Sequence, residues 1–175
     1  MAKCVAKKPA WLNAPQVVDV YSVSGCTSQD FADYIPYWKH NGFWLFDSPD
    51  VIEKVAVEAR VRLDHTTLFY YEMFESEFDG KNWCSFVPEA AIVTNIVLPA
   101  VKEFVGVDVV TFFGRAAPEC SPLSCNSLAH EFPTNEHCLF RSLEEARAHL
   151  ENGAFERSEP GPYRIFMVYM VDWQS

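Results

Sequence analysis

The segment YRIFMVYMVDW, residues 163–173, decides the fold. It is rich in β-branched and aromatic residues and carries no glycine or proline, which reads as a strand. Its middle is apolar at successive positions, so both of its faces need cover. A strand of that kind belongs at the centre of a sheet with material packed on each side.

The rest of the chain supplies the neighbours. VDVVTFF (107–113) reads as a second buried strand. TTLFYYEMFESEFDGKNWCSFVP (66–88) reads as a hairpin, two aromatic arms bent at Asp79-Gly80. QVVDVYSVS (16–24) is rich in β-branched valine and reads as a strand, and FWLF (43–46) and CLF (138–140) suit short strands.

Helices interleave with these. In DSPDVIEKVAVEARVRL (47–63), Ser48 suits the cap and Pro49 the first helical position, where a missing N–H costs little. Ile52, Val55, Ala56, Ala59 and Leu63 fall on one stripe. Ser142 and Glu145 form a capping box for LEEARAHLEN, and Gly153 suits the position just past its end. Thr27 and Asp30 mark the start of a short helix that Pro36 stops. IVTNIVLPAVKEFVG (92–106) is ambiguous; the expectation is a helix around Pro99–Phe104 ended by Gly106. Together these elements predict a single α+β domain over 1–175. Its sheet is expected to be mixed or mainly antiparallel, with about four helices packed on it. Residues 1–12 are expected to be loosely held, docking at Trp11.

Composition excludes several functions. The 175 residues are 49% hydrophobic and 22% charged, values of an ordinary globular protein. The formal net charge of −10 lacks the clustered lysines and arginines that nucleic-acid phosphates demand, and it repels anionic membranes. It favours a protein partner with a basic surface. The basic start, MAKCVAKKPAW, has no apolar core segment of a secretory signal, so a cytoplasmic location is expected. In that compartment Cys4, Cys26, Cys84, Cys120, Cys125 and Cys138 stay reduced. The sequence contains no Walker loop, dinucleotide fingerprint, H-E-x-x-H or EF-hand spacing.

Chemistry-bearing residues concentrate in ECSPLSCNSLAHEFPTNEHC, residues 119–138. Cys120, Cys125, His137 and Cys138 are the candidate zinc ligands, although adjacent residues on an extended strand point to opposite faces. For nucleophilic catalysis the candidates are Cys125 as thiolate, His137 as base and Asn135 as its orienter. Ser121 and Pro122 are placed to open a short helix, PLSCNSLAHE. The competing account is a buried loop whose cysteines are small hydrophobes and whose Ser, Thr and Asn side chains satisfy its own backbone.

Two further constellations suit binding. Trp38 and Trp44 sit in an aromatic run, YIPYWKHNGFWLF. Glu75, Glu77 and Asp79 share one face of the hairpin by strand alternation and would present an acidic patch. The expectation is a non-enzymatic cytosolic binding protein, such as an inhibitor or immunity-type partner, using an acidic and aromatic surface. A small cysteine- or zinc-dependent enzyme built at residues 118–138 is the alternative.

Overall fold

The computed structural model describes residues 2–3, 6–24, 45–60, 62–64, 66–85, 98–114 and 118–172. Its frame is an antiparallel sheet. The strands are β1 (Ala2–Lys3), β4 (Thr67–Phe78), β5 (Trp83–Ser85), β6 (Glu103–Thr111) and β7 (Tyr163–Val171), in the order β1-β4-β7-β6 with β5 also on β4. A separate two-stranded ladder joins β2 (Ala6–Lys7) to β3 (Asp19–Val20). Three α-helices follow among the described residues: α1 (Pro49–Ala59), α2 (Pro122–Cys125) and α3 (Leu143–Glu151).

β7 is central, flanked by β4 and β6. Tyr163 and Ile165 enter one core with Val107, Val109, Leu150 and Phe155; Phe166 and Val168 enter another with Val110, Phe112 and Phe69. Alternation along one strand therefore feeds two cores. Each fully buried Ile, Val or Phe removes apolar surface from water at roughly 1.5–3 kcal/mol.

The hairpin forms with Ser76 opposite Ser85 and Phe78 opposite Trp83. Its turn closes on Asp79, whose Oδ1 accepts the N–H groups of Lys81 (2.8 Å) and Asn82 (2.7 Å), while Gly80 takes φ +102. Both capped helices also form. Val51 N–H donates to Ser48 Oγ (3.4 Å), and Ile52, Val55 and Ala56 are buried. Glu145 N–H donates to Ser142 Oγ (3.2 Å). At the far end, Gly153 N–H reaches Leu150 O and Ala154 N–H reaches His149 O, both at 3.0 Å, a Schellman closure around Gly153 at φ +71.

Several expectations are corrected. The segment expected as a helix around Pro99–Phe104 already enters β6 at Glu103, pairing Glu103 with Met170 and Phe104 with Tyr169. Gly106 ends no helix. It sits at a register shift in β6 with φ +156, and a Cβ there would lie 2.7 Å from Leu139 Cβ and 2.8 Å from the Phe140 carbonyl oxygen. About four helices become three among the described residues, since this one is a strand and the helix expected after Thr27 lies outside them. QVVDVYSVS is reduced to Asp19–Val20, because its backbone bonds go to a loop instead. Val18 N–H reaches Glu136 O (2.8 Å) and Tyr21 N–H reaches His137 O (3.1 Å). CLF contributes one bridge, Phe140 with Val107. Leu45 and Phe46 are buried outside any strand. At the N-terminal end Leu12 enters the core, whereas Trp11 is exposed.

Candidate functional site

The segment 118–140 runs back along the outer edge of β6. Thr111 N–H donates to Cys120 O and Glu119 N–H to Thr111 O, both at 2.9 Å, and Val107 exchanges two 2.9 Å bonds with Phe140. Asn135 Nδ2 donates to Val105 O at 2.8 Å. An edge that would otherwise invite another strand is thereby covered. The absent side chain of Gly106 permits this close approach.

Within the segment the expected helix breaks in two. Ser127 adopts φ +62 and separates α2 from a single 3-10 turn at Leu128–His130. Ser121 precedes α2 without capping it, because its Oγ donates instead to Asp108 Oδ1 at 2.7 Å. Asp108 is buried. Its other oxygen accepts Ser22 Oγ (2.6 Å) and Val23 N–H (3.1 Å), so one carboxylate ties the N-terminal segment, β6 and α2 together.

His137 lies half-buried with Nδ1 2.6 Å from Asp19 Oδ1 and Nε2 3.6 Å from Glu136 Oε1. Its ring stacks on Tyr21, with centroids 4.1 Å apart and planes 7° from parallel. Burial, aided by the charge of Asp19, pushes the Tyr21 hydroxyl up to about 12. A carboxylate at Nδ1 orients an imidazole for proton transfer at Nε2. Asn135, expected as the orienter of His137, is engaged elsewhere: its Oδ1 accepts the backbone N–H groups of His137 (2.9 Å) and Leu139 (3.1 Å). Sequence reasoning missed Asp19, which stands 118 residues away and meets His137 only because β3 lies against residues 136–137.

The thiols differ in burial. Cys138 is 2% exposed and sits at φ +62; burial, then the nearby Asp108, raises its thiol well above the ordinary cysteine range. Such a thiol is a poor nucleophile and a poor ligand near neutral pH. Cys120 is buried with Sγ 3.9 Å from Asn126 Oδ1, and Cys125 is half-buried with Sγ 4.0 Å from Ser124 Oγ. Among the described residues, no three His, Cys, Asp or Glu side chains are grouped to hold a metal ion. Cys84 and Cys138 form no disulfide; Cys4 and Cys26 lie outside the described residues.

The hairpin acids are partly engaged. Glu75 is exposed. Glu77 Oε2 accepts Arg164 Nε at 3.0 Å, and Arg164, 3% exposed, also lies over the Phe112 ring at 4.0 Å. Asp79 is turned into its own loop. Trp38 and Trp44 lie outside the described residues.

The opposite end of the sheet is different. Leu98 and Val101 are each 69% exposed and Phe104 is 47% exposed, three large apolar side chains within seven residues. Phe104, Tyr169 and Tyr70 form a row across β6, β7 and β4, with centroid separations of 5.6 and 6.2 Å. Glu72 on β4 pairs with Lys102 and accepts Tyr169 Oη at 2.9 Å. Burial raises the Glu72 carboxyl, but the hydrogen bonds from Lys102 and Tyr169 outweigh it and hold it below the usual glutamate range. Glu103 and Asp172 are exposed at the same end.

No family model matches this chain, and no curated protein or solved structure matches it either. Two groups stand out among the described residues: an Asp19–His137 pair beside the covered edge of β6, and exposed apolar and acidic side chains at the other end of the sheet. No described helix is long and apolar enough to cross a membrane.

Proposed function

We propose that the protein is a non-enzymatic, cytosolic binding protein that engages another protein through the open end of its sheet. The observation that carries this reading is the exposure of Leu98, Val101 and Phe104 together. Single exposed apolar residues are ordinary, but a cluster rimmed by charge is typical of an interaction surface. Glu72, Glu103 and Asp172 outnumber Lys102 there, and the chain's net charge is −10, so the complementary partner is basic. The role expected for Glu75, Glu77 and Asp79 is thereby narrowed: Glu75 extends the acidic character of β4, while Glu77 and Asp79 serve the fold.

The test is site-specific photocrosslinking in cells that produce the protein. A crosslinker at Val101 is expected to yield a discrete conjugate with a basic protein, lost in Phe104→Asp. Val57, exposed on α1, is the control. Identical conjugates from Val101 and Val57 would overturn the reading.

One observation favours a second reading. The 2.6 Å contact between Asp19 and His137 is the arrangement a general acid–base site uses. It supports the alternative of a small enzyme at residues 118–138, with His137 as the proton-transfer group and the nucleophile drawn from Cys125 or water.

A further inference from the structure

The ammonium of Lys102 lies 4.2 Å from the ring centroid of Tyr169 and 5.1 Å from that of Tyr70. It also hydrogen-bonds to Glu72 Oε1. The second oxygen of that carboxylate accepts Tyr169 Oη, which fixes the carboxylate beside the ring. Phe104 meets Tyr169 edge-on. Aromatic faces converging on an ammonium, with a carboxylate beside them, are the recognition chemistry for an alkylammonium group.

The parts of this arrangement differ in how they are held. Tyr70, Glu72 and Tyr169 stand on β4 and β7, with Tyr70 directly opposite Tyr169 in the ladder. Paired strands fix those three side chains to the frame. Lys102 instead comes from the irregular segment before β6, on a long side chain that is 32% exposed. An ion pair this exposed contributes little net stability, because solvent screens it and the lysine loses rotamer freedom. The receptor groups are rigid, and their occupant is weakly tethered.

We propose that Tyr70, Tyr169 and Glu72 form an alkylammonium-binding site, which Lys102 fills in the free protein and a lysine side chain of the protein partner takes over on binding. The source of the incoming lysine rests on the protein-binding reading above; the site itself does not. Lys102 is then an internal competitor. Removing it exposes the site, and any alkylammonium ion of suitable size can report on it.

The experiment titrates tetramethylammonium chloride into the full chain and follows the tyrosine ring signals by NMR, with sodium chloride as the ionic control. Lys102→Ala is expected to bind at least about tenfold tighter than wild type, with saturable shifts at Tyr70 and Tyr169. Lys102→Met, which keeps the hydrocarbon stem, is measured in parallel in case the alanine variant is destabilised. Adding Glu72→Gln to either variant is expected to weaken binding by about tenfold. Affinity in both Lys102 variants no higher than in wild type, or shifts that sodium chloride reproduces, would overturn the site. If the variants bind tetramethylammonium while the Val101 crosslinker captures nothing specific, the site stands and the protein-binding reading falls.

Discussion

Asn135 serves three backbone groups with one amide, accepting from His137 and Leu139 and donating to Val105. Leaving such groups unpaired costs more than the net worth of each bond. Asn135→Ala is expected to lower stability by about 2–3 kcal/mol in urea unfolding, because it frees residues 136–139 from β6. Glu72 makes a prediction of opposite character. Its folded carboxyl titrates below the ordinary range, so the stability it contributes is present above the unfolded value and is lost as pH falls through the folded one. The gap in thermal midpoint between wild type and Glu72→Gln should close as the solution is acidified through and below the usual glutamate range. The free-energy difference behind that gap stays small, under about 1 kcal/mol, because the pair is solvent-screened. A gap unchanged across that acid range would show that the Lys102 and Tyr169 contacts do not hold the charged form.

Elements show which local signals suffice and which do not. β7 is legible because apolar residues at successive positions demand cover on both faces, and α3 because Ser142 and Gly153 mark its ends. The hairpin is legible from Asp79-Gly80. The stretch before β6 is not, because its apolar spacing suits either period and Gly106 mimics a helix stop. What decides it lies far along the chain, in the pairing of Glu103 and Phe104 with Met170 and Tyr169. Residues 16–24 mislead for a related reason: only Asp19–Val20 meet a strand, β2, and their other backbone bonds go to the 136–137 loop. The β4–β7 ladder also carries an ion pair between half-buried Glu77 and buried Arg164, next to an irregularity in register. Burial lowers the Arg164 pKa, and Glu77 opposes that shift. Glu77→Ala is expected to cost about 3 kcal/mol by leaving a buried guanidinium without this carboxylate. The double variant Glu77→Leu/Arg164→Met should recover most of that loss; a double variant as unstable as Glu77→Ala would contradict the assignment.

At the scale of the whole molecule, charge and surface carry the functional argument. The acidity is visible in composition, but its placement is not. The hairpin acids look like a patch in the sequence, yet Glu77 is engaged by Arg164 and Asp79 by its own turn. The exposed group at Leu98, Val101 and Phe104 is hidden in the sequence by the helical reading of that stretch. Likewise His137 stands out in the sequence, while Asp19 becomes meaningful only once the chain folds back on itself. Among the described residues two places are candidates, the 98–104 end of the sheet and the Asp19–His137 pair, and a complex would discriminate between them. The deciding measurement is amide hydrogen exchange of the full chain alone and bound to the partner captured at Val101. Slowed exchange at residues 98–104 and 169–172 is the result predicted here. Slowing confined to residues 118–138 and the neighbourhood of Asp19 would contradict the account and move the function to His137.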